Sequence, residues 1–324
     1  MDVTRTKPGG CEVTLAADLG GTHLRAALID DAGEILLHES VETPHEGLLP
    51  TTLVELLTSV AGPGRRPVKA TVVGVPGPVN YDLGALAWAP HLPASWVDEL
   101  REDWLGERLG RAVTLANDAD LAAVGEAYFG AGRPFDDVAY LTVSTGIGAG
   151  VLLGRRLVHG HRSIGELGHT VIDRLAWREL RPATVERLGS GSSIARLSEE
   201  AGLGPLDGPQ LEAAVVAGDR RAHQVWDGVI EAVSIGVLNL CRLFSPQAIV
   251  IGGGLGCRER LLQPVRKQLA DREGIDGCVL LAAALGDDAG LLGAPAWTRA
   301  FGRAPGRERG SQSCSAQRGG HGLP

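Results

Sequence analysis

Two stretches of this 324-residue chain fold back on glycine-rich turns, and they restrict its architecture more than any other feature. From Val138 to Leu153, two β-rich apolar runs flank Ser144-Thr145-Gly146-Ile147-Gly148, the pattern of a buried hairpin with an exposed tip. From Val13 to Asp30 the arrangement recurs as strand, Asp18-Leu19-Gly20-Gly21-Thr22 turn and strand. Tips made of small polar residues let a ligand approach the backbone and meet free N–H groups. One glycine hairpin is a common folding device. Two of them, with Asn117-Asp118 between them in sequence, read as two halves that each present a hairpin to one anion around a carboxylate.

A chain of this length exceeds one ordinary domain, so two domains sharing a cleft are expected. A formal charge of -8 argues against a nucleic-acid surface, because phosphate backbones demand concentrated Lys and Arg. No apolar run approaches the roughly 20 residues of a membrane-spanning helix, and residues 1–8 carry no apolar leader core. Five cysteines scattered without a CxxC pair suit a reducing cytosol and no disulfide framework. The expectation is a soluble, cytoplasmic α/β protein with no nucleic-acid or membrane partner.

Along the chain, Ile35 to Val41 reads as a third strand and Thr51 to Val60 as a helix with apolar spacing at Leu53, Val54, Leu56, Leu57 and Val60. Val68 to Val75 is a buried strand running into Pro76-Gly77-Pro78. A helix is expected over Trp96 to Leu109, a short strand over Ala112 to Ala116, and an Ala-rich helix over Asp120 to Phe129. Asn117-Asp118 therefore falls at the carboxyl end of a strand, where open α/β sheets collect ligands. Helices are expected over Leu211 to Ala217, Ala222 to Leu243 and Arg258 to Leu269, with strands over Gln247 to Ile251 and Val279 to Ala282. From Phe301 onward, Gly, Arg, Ser and Gln without periodicity indicate a disordered tail. Strand–helix alternation opened by hairpins suggests two βββαβα-type lobes rather than a single Rossmann sheet, and the lack of a Walker A lysine motif argues against a P-loop enzyme.

Seven motifs stand in a fixed order: Asp18-x-Gly20-Gly21-Thr22-x-x-Arg25, Gly74-x-Pro76-Gly77-x-Val79, Asn117-Asp118, Ser144-Thr145-Gly146-Ile147-Gly148, Glu166-x-Gly168-His169, Glu186 with Ser190-Gly191, and Gly252-Gly253-Gly254. Over about residues 12 to 300 this order resembles the ROK (repressor, open reading frame, kinase) sugar kinases of the actin/hexokinase/Hsp70 superfamily. The resemblance implies two ribonuclease-H-like, actin-like ATPase lobes with a central cleft for a sugar and ATP with Mg²⁺. Residues 12–116 with about 290–300 would form the N-terminal lobe, residues 117–289 the C-terminal lobe, and 301–324 the tail. It further implies that Gly20, Gly21 and Thr22 form the first phosphate loop, with Asp18 reaching Mg²⁺ through water. Ser144, Thr145, Gly146 and Gly148 would form the second phosphate loop, and Gly252, Gly253 and Gly254 the adenosine-side turn. Asp118 matches the catalytic base, and Gly77, Asn117, Glu166, His169 and Glu186 match ligands of the sugar hydroxyls. Family members are commonly homodimers.

The chemistry suits these residue types. Phosphoryl transfer passes through a loose transition state, so the protein mainly positions groups and stabilises charge. An aspartate of ordinary pKa, about 3.9, is ionised at neutral pH and can orient and deprotonate a hydroxyl. Each motif also has a plain structural reading: Asn117-Asp118 as a helix cap, Glu166 and His169 as a neighbouring pair, and Gly252 to Gly254 as a tight connection.

Two departures adjoin the expected sugar pocket. Where the family usually carries a zinc-binding CxCGxxGC cluster, residues 173–184 contain no cysteine, which excludes thiolate zinc binding there. A zinc-free loop held by Trp177 and apolar packing is expected, with His159, His161 and His169 read as loop and sugar-site residues rather than substitute zinc ligands. His91 stands where the family often has Asn before Leu. The expected activity is ATP-dependent phosphorylation of a hexose primary hydroxyl, glucose by default, or of an amino sugar or sugar-like cyclitol, with polyphosphate as the other conceivable donor. A sugar-responsive repressor would need an N-terminal winged helix that the residues before Cys11 cannot form. A sugar-binding protein without kinase activity is disfavoured by the intact Asp118 and phosphate loops.

Overall fold

The computed structural model describes residues 12–44, 49–62, 66–88, 94–270, 272 and 277–302. The first half is built from β1 (Val13–Leu19), β2 (His23–Ile29), β3 (Ile35–Glu42), α1 (Leu49–Val60), β4 (Val68–Val75), the short pair β5 (Val79–Asn80) and β6 (Ala85–Leu86), α2 (Ala94–Glu99), α3 (Glu102–Leu109) and β7 (Thr114–Asn117). Helix α4 (Asp118–Tyr128) leads to β8 (Val138–Val143), β9 (Ile147–Leu153) and β10 (Arg156–Leu157). A helical stretch follows: α5 (Arg174–Arg178), α6 (Val185–Gly189), α7 (Gly191–Glu200), α8 (Gly208–Val216) and α9 (Arg220–Phe244). Strand β11 (Ala248–Gly252), α10 (Glu259–Ala270), β12 (Val279–Ala282), α11 (Ala289–Gly293) and α12 (Trp297–Phe301) complete it.

Both expected hairpins form, β1 with β2 and β8 with β9, each antiparallel. Each seeds one five-stranded sheet: β3-β2-β1-β4-β7 and β10-β9-β8-β11-β12. In both sheets the hairpin is extended by parallel strands, β4 and β7 in the first, β11 and β12 in the second. Parallel strands buried on both faces read as continuous apolar runs, as in Ala248–Gly252, whose five residues are all buried.

Helix α4 packs on β8 and β9 of one sheet and on β4 and β7 of the other, so nine of its eleven residues are buried. It crosses α11 at backbone contact. A Cβ on Gly125 would lie 2.2 Å from the Ala289 carbonyl oxygen, and one on Gly293 would lie 2.0 Å from that of Leu121. Only glycine permits that approach.

The helix expected over Trp96 to Leu109 is instead two, α2 and α3. Leu100 is fully buried between them, Arg101 is extended (φ -135°) and bridges Ala85, and Glu102 N–H donates to Gly84 O at 2.9 Å. Burying Leu100 outweighs helical continuity. The apolar segment from Ala289 to Ala300 forms α11, a 3₁₀ turn at Ala294–Ala296 and most of α12. Phe301 closes α12 rather than opening the tail, stacking on Trp297 and meeting Tyr81 edge-on. The remainder of the expected tail, from residue 303, and His91 lie outside the described residues.

Candidate active site

The catalytic candidates lie where parallel strands end. Asp18 of β1 is in register with Gly74 of β4, and Gly74 and Val75 pair with Ala116 and Asn117 of β7. Strands lie about 4.8 Å apart, so Asp18 and the β7 terminus stand roughly 10 Å from each other across Gly74. Asp118 follows as the first residue of α4, half-buried, with Oδ1 accepting the Ala119 N–H at 2.8 Å.

Asn117 has a mixed assignment. Its Oδ1 caps α4 by accepting from Asp120 N–H at 3.0 Å, and Nδ2 donates to Gly77 O at 3.0 Å. With 6% exposure it keeps one amide hydrogen for any other partner. The structural reading of this residue therefore holds, and it ties the Gly77 loop to the base of α4.

Charge accumulates around this point. Burial pushes the Asp118 pKa to about 7, with the negative charges of Asp18 and Glu166 adding to it and the Ala119 N–H opposing. Asp118 therefore holds its proton to a higher pH than the ordinary carboxylate assumed from its residue type. Asp18 is raised to about 6, again chiefly by burial; Arg25 opposes the shift while Asp287 and Asp288 reinforce it. Arg25 donates to the Asp287 carbonyl at 2.8 Å and to its carboxylate at 3.2 Å, fixing the segment before α11 beside Asp18. Behind Asp118, the fully buried Asp120 accepts from Tyr81 Oη at 2.7 Å and is itself raised to about 7 by burial.

Three further expected sugar ligands, Glu166, His169 and Glu186, lie on the 3₁₀ turn at Glu166–His169 and on α6. Glu166 and His169 share a 3₁₀ turn, their side chains 3.6 Å apart, and burial raises the Glu166 pKa while His169 lowers it. Glu186 of α6 gives one oxygen to Ile147 N–H at 2.8 Å, linking the sugar side to the second hairpin. A Cβ on Gly168, in the same turn as Glu166, would lie 3.2 Å from the Glu186 Cβ, and the Glu186 charge raises the Glu166 pKa.

The phosphate-loop candidates are open tips. Thr43 Oγ1 donates to Gly20 O at 2.7 Å and Thr43 N–H to Thr22 O at 2.9 Å, leaving Gly21 and Thr22 exposed. In the second hairpin, Gly191 N–H donates to Ser144 O at 2.7 Å and Ser192 N–H to Thr145 O at 3.1 Å, so the start of α7 buttresses the tip. The Gly252 turn lies next to it, because Gly252 pairs with Thr142 and both Leu255 and Gly256 donate N–H to Val143 O. Gly253 has φ +83°, and a Cβ there would meet Val143 O at 2.5 Å, whereas Gly254 faces open space. These exposed backbone concavities beside a buried acidic group fit a nucleotide triphosphate carrying its own Mg²⁺.

Several residues escaped the sequence reading. Trp88, 51% exposed, meets His169 edge-on with ring centroids 6.0 Å apart. Glu126, fully buried, accepts N–H bonds from Ala131, Ala284 and Leu285, clasping the approach to Asp287 onto α4. The sequence signal for Glu126 is a charge within the small and apolar run from Leu121 to Ala127. Trp177 does not hold the cysteine-free loop: it is 60% exposed, and the buried anchor is Ala176, with Asp173 capping α5. Among the described residues no group of three or more His, Cys, Asp or Glu could hold a metal ion, and His159 stacks on Phe301 while His169 pairs with Glu166.

Two hairpin-led sheets, strand-end carboxylates and helices crossing between the sheets define an actin-like ATPase fold. Comparison with known proteins agrees and narrows it. The ROK family model matches residues 14–300. Glucokinase of Thermotoga maritima is 30% identical over 309 residues, covering 86% of this chain and 95% of its own. N-acetylmannosamine kinase of Escherichia coli O6:H1 is 31% identical over 299 residues, covering 89% and 98%. The crystal structure of a ROK family glucokinase from Streptomyces griseus with glucose and AMPPNP superposes with a TM-score of 0.71 at 29% identity, covering 89% of this chain and 99% of that one. The chain belongs to the ROK family.

Proposed function

We propose that this protein transfers the γ-phosphoryl group of ATP to the primary hydroxyl of a hexose, with glucose as the first candidate and an amino sugar or sugar-like cyclitol as close variants. The setting of Asp118 carries this reading: a half-buried carboxyl at a strand end that feels the charges of both Asp18 and Glu166. The glucokinase and N-acetylmannosamine kinase relatives, and the Streptomyces griseus complex with glucose and AMPPNP, support a sugar and ATP as the reactants.

In this reading the acceptor hydroxyl meets Asp118, which aligns it and takes its proton as the phosphorus–oxygen bond forms. A pKa of about 7 suits that task, since such a base is available at neutral pH yet strong enough to draw the proton. Glu166, His169 and Glu186 orient the remaining hydroxyls. The tips at Gly20–Thr22 and Ser144–Gly146 receive phosphate oxygens through backbone N–H groups, and Gly252 to Gly254 admit the nucleoside. Asp18 would hold the Mg²⁺ of ATP through water, and the ion would supply charge neutralisation on the phosphates. Residues 12–116 with about 290–300, and residues 117–289, act as the two lobes closing on the reactants.

An ADP-release assay across hexoses, amino sugars and cyclitols tests the proposal. At least one sugar is expected to support turnover that rises through pH 6 to 8 as Asp118 loses its proton. Asp118→Asn is expected to abolish that turnover while sugar binding survives. Full activity in the variant would remove Asp118 from the chemistry.

A further inference from the structure

Away from the strand ends, α9, α10 and the start of β12 enclose a cavity of about 320 Å³, lined by Val237, Cys241, Arg266, Leu269, Cys278 and Leu280. Two thiols share this wall although they stand 37 positions apart in sequence. Cys241 projects from α9 and is buried; Cys278 directly precedes β12 and is half-buried. Both side chains line the same cavity wall, close enough for each thiol to shift the other's titration. That proximity holds the proton on Cys241 and shifts Cys278 toward thiolate, the nucleophilic form. Strand β12 is the edge of its sheet and Val279, next to Cys278, is 44% exposed, so a small oxidant can reach this wall from solvent.

We propose that Cys241 and Cys278 form a dithiol modification site that a small hydroperoxide converts to a disulfide, tying α9 to β12. The Cys278 sulfur attacks a peroxide oxygen, the O–O bond breaks, and Cys278 becomes a sulfenic acid as water leaves. The Cys241 sulfur then attacks that sulfur, the S–O bond breaks, and a second water departs with the Cys241 proton. Two thiols and one hydrogen peroxide thus give one disulfide and two waters. Cys257 is the internal contrast, an exposed thiol whose pKa is pushed up by its surroundings and which has no cysteine beside it among the described residues.

The test uses the full chain exposed to hydrogen peroxide, then alkylated and mapped by mass spectrometry without reduction. A peptide pair linked through Cys241 and Cys278, about 2 Da lighter than its two free peptides and reversed by dithiothreitol, is expected to form about tenfold faster than Cys257 is consumed. Cys278→Ser is expected to leave Cys241 alkylatable after the same treatment, and its thermal unfolding shows whether the variant is folded. Recovery of both thiols unlinked at doses that oxidise Cys257, or a link from either to a different cysteine, would overturn the assignment. Neither readout depends on the catalytic reading.

Discussion

Replacing Asp118 by asparagine should make the protein inactive and, at alkaline pH, more stable. The carboxyl pKa rises from 3.8 to about 7 on folding, so the folded state binds its proton more tightly than the unfolded chain does. The sign follows: stability falls as pH climbs through the window from about 4 to about 7, and is level above it. At about 1.36 kcal/mol per tenfold change in proton affinity, the ionised carboxylate costs the fold about 4 kcal/mol at pH 8 and under 2 kcal/mol at pH 5. Asparagine keeps an oxygen for the Ala119 N–H and removes the charge that Asp18 and Glu166 repel. Urea unfolding of the ligand-free protein should therefore show Asp118→Asn gaining about 4 kcal/mol at pH 8, with the gain shrinking by about half or more at pH 5. A variant equally stable or weaker at pH 8, or a gain indifferent to pH, would refute the view that this carboxylate is held at a folding cost for the sake of the reaction.

Other perturbations probe the frame around it. Gly125→Ala sets a Cβ 2.2 Å from Ala289 O, so α4 and α11 must part; a loss of about 1–3 kcal/mol in thermal or urea unfolding is expected. Glu126→Ala leaves the N–H groups of Ala131, Ala284 and Leu285 without their acceptor and should cost about 3 kcal/mol or more, with faster amide exchange at residues 284–285 as the local readout. Trp88→Ala, at an exposed ring facing His169, should raise the sugar KM several-fold while leaving the melting temperature within about 1 °C.

Some of this protein could be read directly from its residues. The two hairpins, the strand ending at Asn117 and the long α9 follow from local rules, because alternation, apolar runs and glycine turns act over a few residues. The ordered motifs also brought the acidic and glycine-rich site residues together on paper. Tertiary packing decided the rest. Leu100 broke a helix because the core had a place for it, and Trp177 stayed in solvent because Ala176 filled the space beneath α5. Asp118 acquired a pKa of about 7 only through burial beside Asp18 and Glu166, residues 100 and 48 positions away. Cys241 and Cys278 likewise became neighbours only when β12 joined the sheet against which α9 packs. Local propensity is written in neighbouring residues, whereas burial, charge coupling and the meeting of distant side chains exist only after the chain has closed on itself.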